Sequence, residues 1–441
     1  MRPPVRFSLL LLSLLAFCAP MPGFCQPAAE AFDGSFRLQT GEVLTGGYFV
    51  EAGQGRYLYM ETESLTRGGL FEPVGDTLLR SLGAGGAGSV ELEFVAGADG
   101  EFDRIVWREP GREPIRGERV HPHRTRDVAF RSADGTVLRG RLLVPECEGP
   151  HPVVVTVHGS GPGNRYGGPF HTFFLKHGVR VLAYDKRGYT PDPDAWREPD
   201  LADLSADATA AVRFVAAQPQ IDPDRIGLFA NSQGGWVAPP AAILAPEVDF
   251  LMVRVGAALT SAETVLHEVR QELRAEGLSG LDLDYAIDLR RELYDLAMSG
   301  SPITAADSLV APYLAEPWYA AAFGDGPISE VWSDWWWEWA QRNHAVTPVP
   351  ALQQFDGPIL WFLAENDENV PLVSTRAALE RAFAAAPGDD HEIVVIEDAP
   401  HSFLIDTPGG PPRYADGFFS YMGAWMAERG YTDAGCWRGD P

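Results

Sequence analysis

Residues Phe229 to Trp236 read FANSQGGW, and Ser232 stands two positions before Gly234, where the apolar run RIGLFA gives way to GGWVAPPAAIL. A serine on a strand-to-helix turn presents its Oγ as a nucleophile if small residues flank it, because the backbone there passes close to its neighbours. Gly234 and Gly235 meet that demand on one side. Ala230 meets it on the other, at the position where glycine would complete G-x-S-x-G. A hydroxyl is a weak nucleophile and needs a base, and the base needs an orienting acid. Asp367 follows the run PILWFLA, with Glu365 and Glu368 as rival carboxylates, and His401 follows HEIVVIE. Each stands just past a strand end, so the order serine, acid, histidine brings three distant residues to the crevice at the C-terminal edge of one sheet. A fourth segment, HGSGPGNR at His158 to Arg165, follows the run VVVTV. Its glycine-rich backbone, with the amide of Gln233, suits the oxygen of a tetrahedral intermediate, each donor being worth about 3–4 kcal/mol of barrier. A phosphate loop is the rival, but the G-x-x-x-x-G-K-[ST] spacing is absent.

The elements that must hold these residues are legible around them. VVVTVHG, VRVLAYD, RIGLFA, DFLMVRVGA and PILWFLA are short continuous apolar runs, the pattern of strands buried on both faces of a parallel sheet. Helical stretches such as LADLSADATAAVRFVAAQ alternate with them, which predicts an α/β domain with a mostly parallel central sheet over 121–437. DVAFRSADGTVLRGRLLVP is expected to form a hairpin turning at Asp134 and Gly135. About a hundred residues of helix and loop separate the strands near Val255 and Ile359, far more than a crossover requires, so a helical cap is expected at about 260–350. Its WWWEW run is expected both to seat the cap and to line an apolar pocket, since one helix cannot point every ring inward. Before this domain, FRLQ, RYLYMET, SVELEF and FDRIVW alternate in the manner of half-buried antiparallel strands, predicting a β-rich N-terminal domain over 26–120. Gly83, Gly85 and Gly88 spell G-x-G-x-x-G, but a strand follows instead of a helix, so a hairpin loop is expected. Pro110 to Arg126, rich in Pro, Arg and Glu, reads as a linker.

Whole-chain properties narrow the function classes. With 441 residues and a net charge of −26, the chain would be repelled by nucleic acid and by anionic membranes. Arg2 and Arg6, an apolar stretch from Phe7 to Phe17 and a Pro- and Ala-rich segment have the order of a signal peptide over 1–25. The stretch falls short of the roughly 20 apolar residues of a membrane span, so export to the periplasm or the medium is expected, with no span in the mature chain. Cleavage before Gln26 would leave Cys147 and Cys436, which either pair as a disulfide or remain free. No metal or organic cofactor is expected: H-E-x-x-H does not occur, and the HPH at His121 to His123 has no third ligand nearby.

Taken in order, HGSGP, YDKRG (Tyr184 to Gly188), the turn at Ser232, the D-x-x-V-P of Asp367 to Pro371 and the PHSF around His401 resemble the α/β-hydrolase superfamily from about Asp127 onward. Within it the chain is similar to secreted bacterial acyl esterases and to dienelactone-hydrolase-like and peptidase-like groups. Ala230 departs from the motif, and the N-terminal region lies outside the resemblance. The resemblance implies that Ser232 attacks an ester carbonyl, His401 transfers the proton, Asp367 orients the imidazole, and the amides of Ser160 and Gln233 bind the oxyanion. The implied partner is a small-molecule ester. Asp185, Lys186 and Arg187 are read as bracing the loops around the site. A serine peptidase acting on short peptides would use the same parts. A non-catalytic binding protein retaining the fold is the alternative of another class, favoured by loss of one of the three residues, none of which is lost, or by distortion of the turn at Ala230. Nothing in the sequence specifies an oligomeric state.

Overall fold

Alternating apolar and polar residues carry the N-terminal part through eight antiparallel strands that close on themselves as a barrel. These are β1 (Gly34–Leu38), β2 (Val43–Glu51), β3 (Gly55–Thr62), β4 (Gly68–Pro73), β5 (Leu78–Ser81), β6 (Glu91–Ala96), β7 (Phe102–Arg108) and β8 (Ile115–Val120). The structure is a computed structural model that describes residues 29–32, 34–51, 55–62, 67–82, 89–120, 123–145, 149–165, 169–189, 199–406, 412–433 and 436. The predicted signal segment 1–25, the Gly83 to Gly88 loop, His121 and Cys147 lie outside the described residues. Phe36, Phe71, Leu92, Phe94, Ile105 and Trp107 are buried together inside the barrel, which at eight strands is just wide enough for side chains to fill.

The barrel corrects one expectation. Within the stretch read as a linker, Ile115–Val120 is strand: β8 pairs with both β7 and β1 and closes the barrel, and the next strand begins at His123. The reason its strand pattern was weak is steric. At Gly117 a Cβ would lie 2.9 Å from Ile105 and 3.0 Å from Leu38, so the inward position must be glycine and carries no apolar signal.

A second, eight-stranded sheet follows, built from β9 (His123–Arg131), β10 (Val137–Pro145), β11 (His151–Val157), β12 (Arg180–Tyr184), β13 (Ile221–Asn231), β14 (Phe250–Arg254), β15 (Ile359–Ala364) and β16 (His391–Ile396). Its order is β16-β15-β14-β13-β11-β12-β10-β9. The strands from β11 to β16 pair in parallel, while β9 and β10 form an antiparallel hairpin at one edge, turning at Gly135 with φ 89°. Helices cover both faces, as the apolar runs require: every residue of β12, β14 and β15 is buried. One face packs α2 (Leu201–Ala216), α3 (Gly234–Leu244) and α11 (Leu372–Ala384); the other packs α1 (Pro169–Lys176) and α12 (Phe418–Glu428). This is the three-layer α/β architecture expected from the sequence.

Between β14 and β15 the chain forms the cap helices α4 (Ser261–Ala275), α5 (Gly280–Met298), α6 (Thr304–Val310), α7 (Pro317–Phe323), α8 (Ile328–Val331), α9 (Asp334–Asn343) and α10 (Val349–Leu352). A capping box at Thr260 and Glu263 starts α4 where β14 has delivered the chain to the sheet edge. The WWWEW tryptophans lie on α9, and Trp336, Trp337 and Trp339 are all buried in the cap's own core. Trp336 and Trp339 stack with centroids 5.2 Å apart. The expected division between seating and pocket lining therefore gives way to a third use, holding the cap helices to one another.

Barrel and sheet meet at a short hairpin that follows His401, formed by β17 (Leu404–Ile405) and β18 (Arg413–Tyr414). The Leu70 amide donates to Pro412 at 3.0 Å, Arg413 reaches Glu61 at 3.4 Å, and the rings of Tyr59 and Tyr414 lie 4.9 Å apart. Cys436 is disulfide-bonded; Cys147, with which it either pairs or not on the sequence reading, is outside the described residues.

Candidate active site

β13 ends at Asn231 and α3 begins at Gly234, so Ser232 occupies the turn between them with φ 50°. A left-handed conformation in a non-glycine residue costs about 1–3 kcal/mol and persists only where the surroundings enforce it. Here the Ser232 amide donates to the Arg254 carbonyl at 2.9 Å, and the Gly235 amide donates back to the Ser232 carbonyl at 2.8 Å. The small-residue demand is visible as distances. A Cβ on Gly234 would lie 3.1 Å from the Ala230 methyl and 3.0 Å from the Val157 carbonyl. Ala230 is accommodated because position 234 carries no side chain. A Cβ on Gly235 would lie 2.8 Å from the Gly256 backbone. Gly235→Ala is therefore expected to push α3 off the segment that follows β14, costing about 1–3 kcal/mol by overpacking. Thermal unfolding checks this, with the melting temperature and turnover falling together.

β15 and β16 deliver the other two residues to the same edge. His401 Nε2 lies 2.9 Å from Ser232 Oγ, and His401 Nδ1 lies 2.8 Å from Asp367 Oδ1 and 3.0 Å from Oδ2. Asp367 is buried, and its Oδ1 also accepts the amides of Asn369 at 2.9 Å and Val370 at 2.8 Å. The rival carboxylates face backbone instead: Glu365 accepts the Asp398 amide at 2.8 Å and Glu368 the His401 amide at 3.2 Å. Asp398 and Phe403, on either side of His401, also have positive φ, 55° and 61°. On α4, burial and then the neighbouring Glu272, Asp367 and Glu368 push Glu268 up to about 8. The shift disfavours a second negative charge beside the acid.

The loop after β11 packs against the serine turn. A Cβ on Gly159 would lie 3.4 Å from Ser232 Cβ and 3.1 Å from Asn231 Nδ2, so only glycine lets this backbone approach so closely. Ser160 is exposed on that loop and Gln233 is buried at the start of α3. Of YDKRG, Asp185 accepts the Arg165 backbone amide at 2.9 Å, and Arg187 is ion-paired with Asp207 and Asp134. Lys186 is buried, and its Nζ donates to the carbonyls of Gly159 at 2.8 Å and Gly161 at 2.9 Å and to Gln233 Oε1 at 2.7 Å. His158, pushed down to about 4 by burial, is neutral beside it.

Arg254 escaped the sequence reading. Its Nε donates to Asn231 Oδ1 at 2.7 Å and its Nη1 to the Ser402 carbonyl at 2.7 Å, while the guanidinium lies over the rings of Phe170 and Phe403. It joins the residue before the serine to the residue after the histidine. The signal was a charge closing the apolar run FLMVR, where an interior strand needs none.

Among the described residues, His151, Asp433 and Cys436 form the one group with metal-ligand side chains in mutual reach. His151 Nδ1 is 2.8 Å from Asp433, but the disulfide-bonded Cys436 offers no thiolate. His151 opens β11 at the edge opposite the serine.

A parallel sheet with the serine after β13, the carboxylate after β15 and the histidine after β16 has the layout of an α/β-hydrolase. The chain belongs to the α/β hydrolase family, which residues 154–410 match. Thiohydrolase aneE of Aspergillus aculeatus is 37% identical over 118 residues, 26% of this chain and 36% of that protein. Esterase EstD of Thermotoga maritima is 30% identical over 124 residues, 26% of this chain and 30% of its own length. The match thus spans less than half the length of either relative. Among solved structures, acetyl xylan esterase 1 of Thermoanaerobacterium sp. superposes with a TM-score of 0.41 at 16% identity, covering 76% of this chain and 87% of that one.

Proposed function

We propose that the protein is an exported serine hydrolase that cleaves carboxylic acyl esters through an acyl-enzyme on Ser232. The observation that carries this is the hydrogen-bond chain from Ser232 Oγ through both nitrogens of His401 to the buried Asp367. In this mechanism Nδ1 holds a proton toward Asp367, leaving the lone pair of Nε2 directed at the serine hydroxyl. His401 takes that proton as Oγ attacks the carbonyl carbon, and Asp367 stabilises the imidazolium. The tetrahedral oxygen accepts from the amides of Ser160 and Gln233. His401 then returns the proton to the leaving alcohol, and water releases the acid by the same steps. Export agrees with the charge and apolar order of the first 25 residues and with the disulfide at Cys436, since disulfides persist in oxidising compartments.

The test is fluorophosphonate labelling of the mature protein, followed by nitrophenyl esters, a thioester and peptide nitroanilides. The thioester is included because one relative is named a thiohydrolase. Labelling with turnover of oxygen esters above the other two is expected. Preferential cleavage of nitroanilides would make it a peptidase, and an unlabelled folded protein would leave a binding role.

A further inference from the structure

We infer that Lys186 is a positioning residue of the oxyanion hole, tying together the two backbone segments whose amides must meet at one oxygen. The inference rests on the acyl-transfer mechanism above. The two donors come from separate places: Ser160 from the loop after β11, Gln233 from the start of α3. Nothing in the covalent chain holds them in mutual register, yet an oxyanion needs both within a few tenths of an ångström.

The bonds of Lys186 fall on both segments. The Gly159 carbonyl and the Ser160 amide belong to one planar peptide unit and point in opposite directions. Fixing that carbonyl on Nζ at 2.8 Å therefore fixes where the Ser160 N–H points. The Gly161 carbonyl, 2.9 Å from the same nitrogen, anchors the loop one residue beyond Ser160, and the φ of 82° at Gly161 lets the loop curl back to reach it. The third bond, to Gln233 Oε1 at 2.7 Å, holds the residue that supplies the other amide. An ammonium has three protons, and here each meets one oxygen. A cation on the carbonyl also polarises its peptide unit, making the Ser160 N–H a stronger donor. Burial pushes the Lys186 pKa down to about 7. Three oxygen acceptors act the other way and favour the charged form.

Lys186→Met keeps the stem and removes the bonds. The readouts are the kcat and KM of a nitrophenyl ester, the fluorophosphonate labelling rate, and the rate ratio between matched carbonyl and thionocarbonyl esters. Sulfur accepts hydrogen bonds poorly, so that ratio reports on the hole itself. We expect kcat to fall about 100-fold, the size of losing one donor, with KM changed less than about 3-fold. Labelling slows in parallel, and the preference for oxygen over sulfur collapses. A variant that keeps the wild-type kcat, or loses kcat while retaining the full oxygen preference, overturns the assignment. Should Lys186→Met not fold, Gln233→Leu removes one tether without leaving a buried charge unbonded to the glycine carbonyls. It is expected to lower kcat and the oxygen preference together, and an unchanged preference overturns the assignment equally. Wild-type protein that neither labels nor turns over any ester overturns the serine mechanism itself and the role of Lys186 with it. A labelled, active wild type with unaffected variants overturns only the role of Lys186.

Discussion

Ser232→Ala is expected to remove turnover on the order of 10⁶-fold and to abolish fluorophosphonate labelling, with thermal unfolding nearly unchanged. The two outcomes separate because Oγ takes little part in the fold. Its hydrogen bond to His401 at 2.9 Å is worth about 1 kcal/mol of stability. The contacts that enforce the turn, the Ser232 amide on Arg254 and the Gly235 amide on Ser232, are backbone and survive the substitution. Alanine bears the same cost at φ 50° as serine does. A variant with undiminished activity would remove Ser232 from the mechanism. A melting temperature lowered by ten degrees would show that the hydroxyl supports the turn.

Asp367→Asn is expected to cost about 10⁴-fold in turnover, and the geometry says why. Oδ1 accepts two backbone amides, from Asn369 and Val370, and only an oxygen can do that. The asparagine amide nitrogen must then take the place of Oδ2, 3.0 Å from His401 Nδ1, and donate to it. That amide donor opposes a proton on Nδ1 and, against the Oδ1 that remains 2.8 Å from the same nitrogen, shifts the imidazole toward the tautomer with its proton on Nε2, where it faces the serine and cannot accept from it. Glu365→Gln and Glu368→Gln, whose wild-type side chains accept backbone amides of the histidine loop, are expected to lower kcat less than about 10-fold. Steady-state kinetics on one ester decides between the three carboxylates, and a larger loss for Glu365→Gln than for Asp367→Asn would reassign the acid.

The parts of this site that were legible in the sequence are those set by strand ends. An apolar run followed at once by a polar residue announces both a buried strand and where it stops, which located Ser232, Asp367 and His401 before their distances were known. What surrounds them was less legible because its meaning is tertiary. Lys186 lies in a charged pentapeptide that reads as bracing the loops around the site, but which oxygens it braces is set by the fold, which brings three around its nitrogen. Arg254 looked like the end of a strand, not the link between Asn231 and the histidine loop. Closure of the barrel through β8 was hidden because its inward slot is a glycine. The cap's tryptophans carried a strong apolar signal, but sequence alone does not say which core they serve.

The contact of the barrel with the hairpin after His401 bears on the order in which the molecule is made. Glu61 and its partner Arg413 are 352 residues apart, and Leu70 likewise awaits Pro412. At 5–20 residues per second, roughly 20–70 s pass on the ribosome between the first partner and the second. The barrel can close alone in that interval, since all eight of its strands precede the sheet. The histidine loop cannot take its final shape until the segment around Pro412 to Ala415 has arrived, since the Ala415 amide donates to the Phe403 carbonyl at 2.8 Å. A chain interrupted between Gly234 and Pro412 would therefore carry a finished barrel and Ser232 without the docked histidine loop, so the activity proposed above would mature only once that hairpin is made.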